Sequence, residues 1–225
     1  MSGWMELQLR RHKVAIYGRV SDEETELAIH GAVVEMTSMP EAFENWLALH
    51  SLQYGRSWAT MRERPDRKIT SVDGYFYFVD LPNGDYTLRA SLPKAGTRYG
   101  TAEVSATVSR EIPDNINKTA NIALPPTAIK GQIVDENGDP VGMAKVKIKG
   151  SSEYAFSDGD GNYFLSNLEA SQNPETGRTA EAIVSARGYY TNSKTVELFK
   201  GQVVKEYDFT LLSADPEDYN YNLLS

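Results

Sequence analysis

Apolar and polar residues alternate with a period of two through much of this 225-residue chain. Val14, Ile16, Gly18 and Val20 form one such run, Ile129, Gly131 and Ile133 a second, and Lys145-Val-Lys-Ile-Lys149 a third. This period places every second side chain on one face and predicts half-buried β-strands. The lysine-bearing strand can hide only one face, so it belongs to an antiparallel sheet with a wet side. Leu7 and Leu9 extend the first run loosely and predict an early strand. Asp73-Gly74, Asn83-Gly84, Asn137-Gly138 and Asp160-Gly161 punctuate the strands and supply the positive φ that tight hairpins need. One stretch breaks the alternation. Phe43, Trp46, Leu47 and His50 fall at i, i+3, i+4 and i+7, the period of one helix face. Ser38-Met-Pro-Glu41 has capping-box spacing with proline in the first turn, and Gly55 is the expected stop. Arg62 to Lys68 reads as an exposed loop returning to the sheet.

The pattern occurs twice. Gly18-Arg-Val-Ser-Asp22 recurs as Gly131-Gln-Ile-Val-Asp135. Gly31-Ala-Val-Val-Glu35 recurs more loosely as Met143-Ala-Lys-Val-Lys147. Asp73-Gly-Tyr-Phe-Tyr-Phe78 with Leu81 recurs as Asp160-Gly-Asn-Tyr-Phe-Leu165 with Leu168, and the run from Gly84 to Ala90 parallels that from Ala182 to Tyr189. The order is the same in both halves, which is the mark of a duplicated unit. Gly18 and Gly74 lie 56 positions apart and Gly131 and Gly161 only 30, so the first copy carries 26 extra residues, the helical stretch. Pro125-Pro126 lies between the copies and would end a strand, because proline donates no ladder hydrogen bond. The expected organisation is an extension or early strand over 1–13, a first sandwich over 14–125 with a helical insertion at about 38–68, a second sandwich over 126–213, and an acidic tail over 214–225. The expected fold class is mostly β, two antiparallel β-sandwiches in tandem.

These blocks resemble the carboxypeptidase regulatory-like domain, a transthyretin-like member of the immunoglobulin-type sandwiches. The second copy carries the resemblance best, at Gly131, Asp135, Gly138, Pro140, Val141, Ala144, Val146, Asp158, Gly161, Tyr163, Leu165, Gly188 and Tyr189. It departs in Leu165, where the family has phenylalanine, and in an elongated hairpin from Ser171 to Thr179. The first copy matches at Gly18, Asp22, Gly31, Ala32, Val33, Asp73 or its neighbour, Gly74, Phe76, Phe78, Leu81, Gly84 and Tyr86, and departs by its insertion. The resemblance implies a fold and a mostly non-catalytic role as appendage, plug-side module or adhesin repeat. Such modules also serve in phage tails and phage-tail-like contractile injection particles, and an accessory subunit of such a particle is the narrower expectation.

Composition narrows the chemistry further. With no cysteine, the chain has no thiolate nucleophile, disulfide or cysteine-held metal. A net charge of -8 argues against a nucleic-acid face. No run approaches the ~20 apolar residues of a membrane span, and the N-terminus lacks the order of a secretory signal, so a cytoplasmic location or assembly into an intracellular particle is expected. His12, His30 and His50 lack the carboxylate spacing of a zinc peptidase. Asp158-Gly-Asp160-Gly-Asn162 with Glu169 mimics a calcium loop, but Tyr163 stands where the loop needs glycine, so a hairpin turn is expected. No catalytic, cofactor or metal residues are assigned, and the chain is expected not to be an enzyme.

Two functional readings remain. In the first, the chain docks onto other protein subunits of a large assembly through Trp4, Trp46 and the tail residues Tyr219, Tyr221, Leu223 and Leu224, which alternate with polar residues or end the chain and suit strand addition to a neighbour. In the alternative, exposed Tyr75, Tyr77 and Tyr190 bind a glycan or cell surface. Alternation places Tyr75 and Tyr77 outward while Phe76 and Phe78 enter the core. Whether the inserted helix faces core or partner stays open at the level of sequence.

Overall fold

A computed structural model describes residues 13–109, 119–173 and 175–215. The chain is mostly β, and it divides into two compact units. Unit 1 holds the described residues up to Ser21, then Thr25–Ser91 and those within 102–123; unit 2 holds Asp22–Glu24, Leu92–Thr101 and the described residues from Leu124 onward.

In the first copy, β1 (Val14–Asp22) lies between β4 (Tyr75–Val79) and β7 (Ile122–Leu124). A second sheet runs β3 (Arg67–Ile69), β2 (Val33–Ser38), β5 (Gly84–Ser91), β6 (Ala102–Val108). Ile16, Val20, Phe76 and Phe78 from one sheet and Val34, Met36, Leu88 and Ala90 from the other are buried. The second copy repeats this arrangement, with two short strands in the place of β7. β8 (Ala128–Asp135) pairs with β11 (Asn162–Leu165) on one side and with β14 (Val203–Val204) and β15 (Phe209–Leu211) on the other. The facing sheet runs β10 (Tyr154–Phe156), β9 (Lys145–Ile148), β12 (Arg178–Ser185), β13 (Asn192–Leu198). Ile129, Ile133, Tyr163, Leu165 and Phe209 meet Val146, Ile148, Val184, Val196 and Leu198 in one core. Both copies are therefore β-sandwiches, the first with a helical insertion.

The sandwiches are not wholly antiparallel. The closing strand of each copy runs parallel to its opening strand: Val203 pairs with Ala128 and Phe209 with Ile133, while Thr119 bridges Tyr17 in the same sense. Alternation alone does not distinguish the two directions.

The repeated residues have repeated physical reasons. A Cβ on Gly18 would stand 2.0 Å from the Ala120 carbonyl oxygen, and one on Gly131 would stand 2.5 Å from that of Tyr207. No side chain fits where the closing strand crosses so near. The aspartate four residues later caps the turn that follows: Asp22 Oδ1 accepts the Glu24 N–H at 2.9 Å, and Asp135 Oδ1 accepts those of Asn137 and Asp139 at 2.8 and 2.9 Å. A buried hydroxyl then ties the hairpin. Thr70 Oγ1 donates to the Ile29 carbonyl at 2.7 Å and accepts the Ala32 N–H at 2.9 Å; Ser157 Oγ donates to the Val141 carbonyl at 2.6 Å and accepts the Ala144 N–H at 2.9 Å.

Candidate functional site

The inserted segment forms α1 (Glu41–Tyr54) followed by the single turn α2 (Ser57–Thr60). The expected capping box is not formed. Pro40 is the N-cap, with φ -60° and ψ 139°, and no side chain caps the first turn. Ser38 instead ends β2 and pairs with Thr87. Strand continuity therefore takes the residue that the capping pattern claims for the helix.

Phe43 is the buried residue of α1, and its ring meets Tyr86 edge-on at 6.2 Å. Rings then follow one another along the helix face: Phe43 and Trp46 at 5.5 Å, Trp46 and His50 at 4.8 Å, His50 and Tyr54 at 5.3 Å, and Tyr54 and Trp58 at 5.8 Å. His50 is thus part of an aromatic stack and not a plain surface histidine. Arg64 closes the series, its guanidinium 5.4 Å from the Trp58 ring centroid and in two 3.0 Å bonds to Asp66. Asp66 is buried, and its carbonyl accepts the Met36 N–H at 2.9 Å. The segment expected as an exposed loop over Arg62–Lys68 therefore joins the sheet, with Arg67–Ile69 as β3. The helix meets the sandwich through its first turn. Trp46, Leu49, Leu52 and Tyr54 stay 46%, 68%, 76% and 43% exposed.

Beside β3 and β4, both edge strands of their sheets, unit 1 carries an open cleft of about 640 Å³. Tyr75 and Tyr77 line it from β4, with exposures of 51% and 60%. Lys68 and Ile69 come from β3, and His30, Arg62 and Glu63 complete the rim. Phe76, Thr70 and Ser71 form its inner wall. Lys68 Nζ lies 3.7 Å from Glu63 Oε2. At the turn between the two strands, the Ser71 hydroxyl bonds the Asp73 carboxylate and holds its pKa below the usual aspartate value, against a smaller opposing effect of desolvation. Tyr17, 46% exposed, pairs directly with Tyr77 across β1 and β4, and Arg19 pairs with Tyr75. The three tyrosines form one exposed aromatic face.

The structure thus brings Tyr75 and Tyr77 together. Tyr190 lies in unit 2, 45% exposed, with its N–H on the Leu212 carbonyl at 2.9 Å. Trp4, Tyr219, Tyr221, Leu223 and Leu224 lie outside the described residues. Tyr17, Arg62, Lys68, Leu49 and Leu52 escaped the sequence reading. Alternation in β1 already turns Tyr17 outward, but its meeting with Tyr77 depends on which strands pair. No linear pattern gathers Arg62, Lys68 and His30 around one cleft.

The acidic loop of the second copy is a hairpin turn. Asp158 Oδ1 accepts the N–H groups of Asp160 and Asn162 at 3.0 and 2.8 Å, so its own backbone uses the carboxylate. Among the described residues, no group of three His, Asp or Glu is placed to hold a metal ion. Nor, among them, is any helix long and apolar enough to cross a membrane.

Residues 128–212 match the carboxypeptidase regulatory-like domain family. No curated protein shows significant similarity to the chain. Among solved structures, a type II cohesin–X-dockerin complex from Acetivibrio cellulolyticus, an N-terminal interface mutant, is similar at 17% identity and a TM-score of 0.30. The match covers 40% of this chain and 59% of that one, less than two thirds of its length. The streptococcal ancillary pilin is similar at 13% identity and a TM-score of 0.39, covering 90% of this chain and 69% of that one. The shaft pilin SpaA of Lactobacillus rhamnosus GG is similar at 13% identity and a TM-score of 0.39, covering 91% and 98%.

Proposed function

We propose that this protein is a non-catalytic structural or adaptor module that docks onto other protein subunits. The observation that carries this reading is the helix α1, which anchors one aromatic ring in the sandwich and leaves Trp46, Leu49 and Leu52 exposed. Apolar side chains go round this helix instead of forming one stripe toward the core, and exposed apolar surface of this kind marks an interaction face. The tail residues Tyr219, Tyr221, Leu223 and Leu224, with Trp4, belong to the same proposal through their sequence alone. A contractile, phage-tail-like particle inside the producing cell is one setting for such a subunit; it rests on the family resemblance, and the structures compared above do not point to it.

Purification of the tagged protein from its native source, beside the double variant Leu49→Ser/Leu52→Ser, tests the reading. Wild type is expected to bring down defined partner subunits and the variant to lose them while melting normally. Equal recovery by both would remove the helix from the interface. Absence of partners from both would overturn the adaptor reading.

A second reading is favoured by a separate observation. Tyr75 and Tyr77 line an open cleft of about 640 Å³, within the size range of ligand sites. Exposed tyrosine faces stack on the apolar faces of sugar rings while the hydroxyls reach polar groups. Tyr75→Ala/Tyr77→Ala is expected to abolish retention on a polysaccharide column; unchanged retention, or none by wild type, would overturn it.

A further inference from the structure

We infer that the cleft of unit 1 recognises an acidic carbohydrate, a chain of sugars bearing carboxylate groups. The inference rests on the glycan reading of that cleft and adds the charge of its ligand. The sign of the charge reverses locally. The whole protein carries a formal charge of -8, yet the cleft rim holds Arg62 and Lys68, with His30 beside them, against the single carboxylate of Glu63. Glu63 Oε2 lies 3.7 Å from Lys68 Nζ, its one ion pair among the described residues. Arg62 is exposed and makes no ion pair among the described residues, whereas Arg64 and Arg67, in the same segment, are both held by carboxylates: Arg64 by Asp66 at 3.0 Å and Arg67 by Glu35 at 3.1 Å. The segment thus commits two arginines to the fold and leaves the third at the mouth of the cleft.

Guanidinium and ammonium groups at such a rim favour a carboxylate, and a cleft in which cations outnumber carboxylates attracts anions even on an acidic protein. The aromatic side sets the other half of the ligand. Tyr77 and Tyr75 stand two residues apart on one strand face, a spacing of about 7 Å, and Tyr17 continues the surface from the neighbouring strand. Exposed tyrosine rings set side by side can stack on successive sugar rings. Ile69 and buried Phe76 give apolar contact, and Thr70 and Ser71 line the cleft beside them. The cleft is open, as a site for the interior of a polymer must be. A phosphate alone would use the cations and leave the tyrosines idle, and a neutral glycan would do the reverse.

The test is a titration of the full-length protein with oligogalacturonate, with cello-oligosaccharide as neutral sugar and poly-glutamate as a polyanion without sugar rings. Oligogalacturonate is expected to bind, weakening as salt rises. Arg62→Gln/Lys68→Gln should weaken it about tenfold or more with an unchanged melting temperature, since both side chains reach solvent. Tyr75→Ala/Tyr77→Ala should abolish it. Equal binding of the neutral sugar, with no effect of the cation variant, would overturn the acidic inference and leave the glycan reading standing. Binding of poly-glutamate as tight as oligogalacturonate, indifferent to the tyrosine variant, would overturn the carbohydrate and point to an acidic peptide. Failure of every sugar would overturn both.

Discussion

The two copies differ least where backbone meets backbone and most at the sheet edges. Gly18 and Gly131 hold the same close approach, Thr70 and Ser157 the same buried pair of hydrogen bonds, and Asp22 and Asp135 the same turn. Around this shared frame the first copy adds a helix between β2 and β3 and opens a cleft by β4. The second joins β9 to β10 directly, and its edge aromatics Tyr154 and Phe156 contact one another at 5.6 Å, with Lys145 Nζ 4.2 Å from the Tyr154 ring. The two copies thus share what closes a sandwich and differ in what borders it. The exposed helix and the cleft proposed as interaction sites both belong to the first copy, and the family match falls on the second, which has no insertion.

The frame offers the strongest way to break this comparison. Gly18→Ala and Gly131→Ala should each cost about 3 kcal/mol or more, because the obstructing atoms are backbone and cannot rotate away. Gly18→Ala should be the worse, its new methyl being 2.0 Å from an oxygen against 2.5 Å. Urea denaturation measures both, and wild-type stability in either would dissolve the equivalence. Next comes Phe43→Ala, expected to cost about 2–3 kcal/mol and to reduce the helical circular dichroism signal, since it removes the ring that α1 buries. A smaller effect, about 1–3 kcal/mol, is expected for Thr70→Val and for Ser157→Ala, which strand an N–H and a carbonyl. Similar losses at both would confirm a shared device; a neutral result at one would show that copy to have another closure.

The gentlest contrast is alkaline. Burial raises the Tyr86 phenol to about 12, and burial, then the charges of Tyr207 and Asp208, raises that of Tyr163. In both, the neutral phenol belongs to the folded state. The stability they contribute is complete below the unfolded value near 10 and is lost as pH climbs through the folded one. Melting temperature should fall above about pH 10. Tyr86→Phe should blunt the fall while losing its 2.9 Å bond to the Pro82 carbonyl, and an unchanged pH profile in that variant would separate Tyr86 from the effect.

The frame was legible in sequence because its residues have only one purpose. Alternation along strands and aspartates at turns follow from local geometry, whereas Gly18 and Gly131 stand out in the sequence only because they recur, since the backbone that crosses each of them lies far along the chain. The parallel sense of the closing strand was not legible, because parallel and antiparallel neighbours accept the same alternation. The helix was found by its period, yet its start was misplaced: Ser38 and Glu41 satisfy a capping pattern that strand pairing at Ser38 overrides. Alternation turns Tyr75 and Tyr77 outward, and the structure leaves both exposed. Arg62 and Lys68 were passed over as loop charges, and only the juxtaposition of β3 and β4 gives them a common cavity to face.

The pairing of first strand with last has a mechanical side. In each sandwich the chain enters and leaves along adjacent strands that point the same way, with Arg19 N–H bonded to the Asn121 side chain and Gln132 N–H to that of Asp208. Tension applied at the two ends of a copy loads these cross-links in shear, all together, and not one after another as in a zipper.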